Sequence, residues 1–113
     1  MPRRTYTTPF TLAFGARMRH LRQELGVSLA QLESKTGISR GHLSSIECGF
    51  AAITTETVDR IAKGLELSPL LFLAFPDDDD ELAAIVDLAR QVPTTKQAKL
   101  RRILARWIRE MKD

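Results

Sequence analysis

A chain of 113 residues has room for one compact domain and a modest appendage, but not for two full-sized domains. Hydrophobic residues make up 43% of it, yet no apolar run approaches the ~20 residues that span a membrane. The net charge of +3 is too small to indicate a nucleic-acid partner by itself, and the single cysteine excludes an internal disulfide. With no secretory signal pattern, we expect a cytoplasmic location.

The apolar pattern predicts an all-α fold, because glycine and proline fall at the joints and no stretch alternates long enough for a strand. A first helix is expected over about residues 11–25, and Gly26 ends it. Its inward side carries Leu12, Met18, Leu21, Arg22 and Leu25. Ser28, followed three residues later by Gln31, forms a capping-box pattern that predicts a second helix over residues 29–36.

Three more short helices complete the expected domain. Ser39 is the expected N-cap of a third helix over residues 40–48, and Thr54 or Thr55 that of a fourth. The pair Ser68-Pro69 opens a fifth, since proline at the first helical position loses no hydrogen bond. Five short helices joined by short loops indicate a compact helical domain.

The composition changes at residues 76–80, Pro-Asp-Asp-Asp-Asp, which we interpret as an acidic linker. Residues 10–75 before it form the predicted domain, and residues 1–9 a flexible basic arm. Residues 81–113 after it contain two amphipathic helices joined near Pro93, and these form a predicted helical hairpin.

The spacing of helix, glycine turn and helix around Gly37 predicts a helix-turn-helix unit. The outer face of its second helix, the third of the chain, is small and polar, a shape that fits the ~12 Å wide major groove of DNA. We expect base reading by Arg40, Gly41, Ser44 and Ser45. Arg40 is the candidate for a bidentate contact with guanine, because its guanidinium presents paired donors.

The segment over residues 17–75 resembles the Xre-type helix-turn-helix family of the lambda and 434 phage repressors and Cro. The resemblance is carried by residues 18–29 (MRHLRQELGVSL), Leu32, Gly37-Ile38-Ser39, residues 43–47 (LSSIE) and residues 58–65 (VDRIAKGL). It implies a five-helix lambda-repressor-like DNA-binding domain. The arrangement of such a domain, an acidic linker and a terminal hairpin is similar to that of SinR-type repressors.

The resemblance also implies roles for individual residues. Ser28 and the N–H groups that it caps fall where a helix N-terminus binds a phosphate. Arg22 and Glu47 fall where relatives often form a partly buried ion pair, the alternative being two solvated charges. The full set expected at DNA phosphates is Ser28, Leu29, Ser39, His42, Thr54, Thr55, Arg17 and Arg19. Arg3 and Arg4 are either a minor-groove arm or an unstructured tail.

The loop over residues 50–55 departs from the family, because it lacks the basic residues that relatives often place against the DNA backbone. We therefore expect modest affinity for a monomer and a need for dimerisation. The hairpin supplies the expected interface, through Leu82, Ile85, Val86, Ala89, Leu100, Ile103, Leu104, Trp107, Ile108 and Met111. The alternative is that these helices fold back onto the chain's own domain.

These features predict a bacterial or phage transcriptional regulator, specifically a homodimeric repressor of a palindromic operator on the nucleoid. Two alternatives remain: an antitoxin that binds a toxin or a small antagonist and represses its own operon, or a restriction–modification controller. No nucleophile with a base, phosphate-binding glycine loop or metal-ligand cluster occurs in the sequence. We therefore expect no enzymatic activity, no cofactor and no metal.

Overall fold

The structure, a computed structural model, describes residues 7–76 and 79–112, and every regular element in that part of the chain is helical. The elements are α1 (Pro9–Glu24), α2 (Leu29–Thr36), α3 (Arg40–Glu47), α4 (Thr55–Leu65), a 3₁₀ helix (Pro69–Phe72), α5 (Glu81–Arg90) and α6 (Thr94–Met111). The all-α class is confirmed, with five elements followed by two more. The chain divides between Phe75 and Pro76 into two compact units.

Two segments of the expected organisation lie partly outside the residues that the structure describes. Arg3 and Arg4 of the basic arm lie outside the described residues, as do Asp77 and Asp78 of the acidic linker.

Side-chain caps explain where the first helices begin. The hydroxyl of Thr8 accepts from the N–H of Thr11 at 3.1 Å, and the hydroxyl of Thr11 accepts from the N–H of Thr8 at 2.9 Å. This reciprocal pair starts α1 at Pro9, earlier than the expected start near residue 11. Ser28 and Gln31 form the same arrangement at α2, with distances of 3.0 and 2.8 Å. Because these contacts are local, α2 occupies the interval expected from the sequence.

One apolar core holds the first unit together. Its fully buried side chains are Phe14, Met18, Leu21, Leu32, Leu43, Ile46, Ile61 and Phe72. The inward side of α1 differs from the expected one, since Leu12 and Leu25 are exposed and Phe14 is buried instead. Phe14 stacks on Phe72 with ring centroids 6.2 Å apart, which ties α1 to the 3₁₀ helix. Burial of each such side chain stabilises the fold by about 1.5–3 kcal/mol.

Helices α1 and α3 approach each other closely at Gly15. A Cβ atom at this position would overlap the backbone carbonyl oxygens of Ile46 and Glu47 at the end of α3. The hydroxyl of Thr11 also donates to the carbonyl oxygen of Gly49 at 3.0 Å, just beyond α3. Because backbone atoms of α3 would meet a Cβ atom at residue 15, only glycine allows this distance between the helices.

The second unit contains α5 and α6. Asp80 caps α5 by accepting from the N–H groups of Leu82 and Ala83 at 3.0 and 3.1 Å. Arg90 and Asp87 form an ion pair of 2.7 Å along the same helix. No residue of α6 is buried. Among the helices of residues 7–76 and 79–112, none combines the length and the apolar character that crossing a membrane requires.

We predict that Gly15→Ala destabilises the first unit, although alanine normally stabilises a helix interior by about 1 kcal/mol relative to glycine. The added methyl group meets backbone atoms of α3, and overpacking of this kind costs about 1–3 kcal/mol. Chemical denaturation measures the difference. Gly41→Ala is the matched control, because nothing lies within 4 Å of a Cβ there. A Gly15→Ala variant as stable as the wild type would contradict the close approach.

Candidate nucleic-acid interface

A tight turn places α3 against α2. Gly37 ends α2 with a φ of 72°, a backbone conformation that favours glycine. The guanidinium of Arg60, on α4, donates to the carbonyl oxygen of Thr36 at 2.6 Å and so satisfies one of the last carbonyl groups of α2. Ser39 then caps α3, its hydroxyl accepting from the N–H of His42 at 3.2 Å. The turn is therefore held by α2, α3 and α4 together.

The side of α3 that faces away from the core is polar and open. The side chain of Arg40, the first residue of the helix, is 63% exposed. Nothing lies within 4 Å of a Cβ built on Gly41, so the first turn has an uncovered backbone. Ser44 and Ser45 follow one turn later and are half-buried. The four residues expected to read bases thus share one short helix, in which Arg40 is the charged member of the set.

The ion pair expected between Arg22 and Glu47 is present and buried. Arg22 donates from Nε and Nη2 to the two carboxylate oxygens of Glu47, at 2.6 and 2.9 Å. Its Nη1 donates to the carbonyl oxygen of Val27 at 2.8 Å. One guanidinium therefore joins α1 to the end of α3 and to the loop before α2.

The electrostatics of this pair favour the charged form of Arg22. The hydrogen bonds with Glu47 raise the pKa of Arg22, burial lowers it, and the negative charge of Glu47 raises it again, with a net upward shift. The two side chains are only 11% and 5% exposed, so each needs the other as a partner.

Glu33, on α2, contacts the start of α3. Its Oε2 accepts from the backbone N–H of Arg40 at 2.8 Å, and its Oε1 lies 3.5 Å from the guanidinium of the same residue. Sequence reasoning missed this contact. The one feature that could have indicated it is the opposite charge of two residues separated by seven positions across a glycine turn.

Most residues expected at DNA phosphates lie at helix N-termini. Ser28, Ser39 and Thr54 are the N-caps of α2, α3 and α4, and all three are exposed. Leu29 and Thr55 are the first residues of α2 and α4, and the side chain of Leu29 packs against the core. Leu29 is therefore available to a phosphate through its backbone N–H. The first N–H groups of a helix lack partners inside it and attract anions.

The basic side chains expected at phosphates behave differently from one another. Arg19 and His42 are exposed. Arg17 is only 6% exposed, and its Nε donates to the carbonyl oxygen of Leu71 at 2.8 Å. The expectation of a phosphate contact for Arg17 is corrected by this burial, since a buried guanidinium needs internal acceptors. Arg17 instead joins α1 to the 3₁₀ helix.

The apolar residues expected at a dimer interface lie on α5 and α6. Five of them are exposed: Leu82, Ile85, Trp107, Ile108 and Met111. The other five are half-buried: Val86, Ala89, Leu100, Ile103 and Leu104. Leu88, which the sequence pattern did not indicate, is exposed as well. Exposed large apolar side chains concentrated on two consecutive helices are typical of an interaction surface.

Comparison with known sequences places the first unit in a family. The sequence profile described as the helix-turn-helix domain matches residues 13–75, more than half of the chain. Uncharacterized HTH-type transcriptional regulators of Mycobacterium bovis and Mycobacterium tuberculosis are each 36% identical over 83 residues, or 71% of this chain. The match covers 32% of those proteins, so the chain spans about a third of the length of these curated relatives.

Solved structures with the same fold include gene regulators. The restriction–modification controller C.AhdI from Aeromonas hydrophila is 26% identical, with a TM-score of 0.54 over 55% of this chain and 94% of that one. The clp gene regulator ClgR from Corynebacterium glutamicum is 26% identical, with a TM-score of 0.57 over 88% and 94%. The controller C.Esp1396I, solved as a tetramer with its natural operator, is 26% identical, with a TM-score of 0.55 over 57% and 86%.

We predict that Glu47→Ala lowers the free energy of unfolding by about 3–5 kcal/mol, because it leaves the charge of Arg22 buried without its partner. Denaturant unfolding followed by circular dichroism measures the loss. Asp59→Ala is the control, since it removes an exposed pair with Lys63 that contributes about 0.3–0.5 kcal/mol. Similar stabilities of the two variants would show that the buried pair does not support the fold.

Proposed function

Because the chain belongs to the helix-turn-helix domain family, we propose that it is a sequence-specific DNA-binding regulator of transcription. In this proposal α3 enters the major groove and reads base edges from its first turn. The observation that carries the proposal is the open face of α3, where Arg40 is exposed and Gly41 leaves the backbone uncovered. Two further findings support it: the relatives are named HTH-type transcriptional regulators, and C.Esp1396I was solved in complex with its operator.

The chemistry of the first turn suits guanine. An arginine guanidinium can donate two parallel hydrogen bonds to O6 and N7 of guanine, the commonest specific contact in the major groove. The missing side chain of Gly41 lets the helix backbone approach the groove floor closely. The hydroxyls of Ser44 and Ser45 can donate or accept, so they discriminate less between bases.

Phosphate contacts come, in this proposal, from the exposed N-termini of α2, α3 and α4. Ser28, Ser39 and Thr54 cap these helices, and the partial positive charge at each N-terminus favours an anion. Arg19 and His42 add exposed basic side chains. These contacts fix the position of the protein on DNA and carry little sequence information.

We further propose that the protein acts as a homodimeric repressor of a two-fold symmetric operator. The loop after α3 is uncharged at residues 50–55, so a single copy has few cations against the phosphate backbone. The exposed apolar side chains of α5 and α6 supply a surface for a second copy. Two copies of α3 then read half-sites about 34 Å apart, one turn of the DNA helix.

A restriction–modification controller is the second candidate, because two controllers of this kind share the fold. The match to C.AhdI uses 94% of that chain but 55% of this one, whereas the match to ClgR extends over 88% of this chain. The matched share of this chain is 60% and 88% for two ClgR structures, and 57% and 74% for two C.Esp1396I structures, so the ranges overlap. Genes for a methyltransferase and an endonuclease beside this gene would favour the controller.

We predict that Arg40→Ala costs about 1–3 kcal/mol of binding free energy at the preferred site and relaxes the preference at one base position. Selection from random duplex DNA, followed by titration at a stated salt concentration, measures both effects. Arg19→Ala is the control: it weakens binding to all sequences alike and lowers the salt slope by about one. Uniform weakening by Arg40→Ala would make Arg40 a phosphate contact and not a base reader.

We also predict that Trp107→Asp dissociates the dimer and lowers operator affinity more than tenfold, because a charge on the apolar surface opposes its burial. Sedimentation equilibrium gives the oligomeric state of the full chain. Arg101→Asp changes an exposed charged residue of the same helix and leaves the dimer intact. A dimer that survives Trp107→Asp, and also survives removal of α5 and α6, would place the interface elsewhere.

A further inference from the structure

The carboxylate of Glu33 makes two different contacts with one residue. Oε2 accepts from the backbone N–H of Arg40 at 2.8 Å, and Oε1 lies 3.5 Å from the guanidinium. The first contact anchors the carboxylate, because the N–H belongs to the rigid first turn of α3. The second contact therefore holds the guanidinium beside a fixed negative charge, although both side chains remain partly exposed, at 38% and 63%.

This arrangement leaves Arg40 able to make further hydrogen bonds. A guanidinium has five N–H donors, and the carboxylate lies near one terminal nitrogen, Nη2. The remaining donors include the pair that a bidentate contact with guanine requires. Glu33 thus restricts where the side chain of Arg40 can go without using up its donors.

The nearby carboxylate affects the two DNA partners of Arg40 unequally. A phosphate attracts arginine mainly through its full negative charge, and Glu33 both reduces the net positive charge at this point and repels the phosphate. Guanine offers neutral acceptors, so its contact depends on the direction of the donors more than on net charge. A guanidinium paired with Glu33 consequently loses more attraction to phosphates than to guanine.

We propose that Glu33 is a positioning residue that sets the sequence selectivity of Arg40. It weakens the contacts that Arg40 makes with any DNA backbone and keeps the guanidinium directed for a base. The inference rests on the proposed function, because it needs α3 in the major groove. It adds that selectivity depends on a residue of α2 that need not touch DNA.

The test is Glu33→Gln, which removes the charge and keeps an oxygen that can accept from the N–H of Arg40. Affinities for the selected duplex and for a scrambled duplex are measured over a range of salt concentrations. We expect binding to the scrambled duplex to tighten about fivefold, with a salt slope steeper by about one, and binding to the selected duplex to change less. The ratio of the two affinities therefore falls.

Two comparisons separate this role from a general one. Glu66→Gln makes the same change in net charge at the exposed C-cap of α4, and it leaves the ratio as in the wild type. In an Arg40→Ala background, Glu33→Gln no longer alters the ratio. Thermal unfolding of each variant verifies that the fold is kept. Glu33→Asp retains the charge, and we expect it to keep part of the selectivity that Glu33→Gln loses.

The outcomes distinguish this inference from the proposed function. A wild-type protein that selects no sequence overturns both. A selective wild type whose affinity ratio is unchanged by Glu33→Gln overturns the role of Glu33 alone. The same holds if Glu33→Gln lowers the ratio as much in the Arg40→Ala background as it does in the wild type. A new preferred base with Glu33→Gln would make Glu33 itself a base contact, which also overturns the positioning role.

Discussion

The buried pair of Arg22 and Glu47 determines where α3 sits in this fold. Six polar atoms meet there in the interior. The three guanidinium nitrogens of Arg22 donate to the two carboxylate oxygens of Glu47 and to the carbonyl oxygen of Val27. Desolvation of such groups is costly unless every one is paired, so the arrangement tolerates little displacement. Gly15 has no side chain, and this allows α1 to approach the backbone of α3 closely beside the ion pair. An ion pair and a close backbone contact thus fix α3 from its core side.

This fixation explains how a helix of eight residues can serve as an interface. A helix of that length is not stable by itself, and its position must come from packing. Leu43 and Ile46 are fully buried, while the first turn carries no covering side chain at Gly41. The same short helix therefore has a rigid inner side and an open outer side. Glu33 and the Ser39 cap fix its N-terminus as well.

The elements that could be predicted from sequence depend on local interactions. The caps at Ser28 and Ser39 involve residues three positions apart, and the starts of α2 and α3 follow from them. The burial of Arg17 could not be predicted, because its acceptor on Leu71 lies 54 positions away. Composition does not reveal whether an arginine faces solvent or a carbonyl group. Phe14 replaces Leu12 in the core for the same kind of reason, since its partner Phe72 belongs to the far end of the unit.

The same distinction between local and long-range interactions holds for the candidate site. The open face of α3 follows from the periodicity of one helix, and the structure places its residues there. The pair of Glu33 and Arg40 depends on the angle between two helices, which no local pattern specifies. The apolar side chains of α5 and α6 are evident in the sequence, whereas the identity of their partner is a property of an assembly and not of one chain. Dimerisation through them therefore stays a prediction.

The proposed contact between Arg40 and a guanine in the major groove can be measured by dimethyl sulfate footprinting on the selected duplex. The reagent methylates N7 of guanine, which faces the major groove, and N3 of adenine, which faces the minor groove. We expect the wild type to protect one guanine N7 in each half-site, and we expect Arg40→Ala to lose this protection at concentrations that still saturate the DNA. Guanine protection that persists in Arg40→Ala, or protection confined to adenine N3, would show that Arg40 does not contact guanine in the major groove.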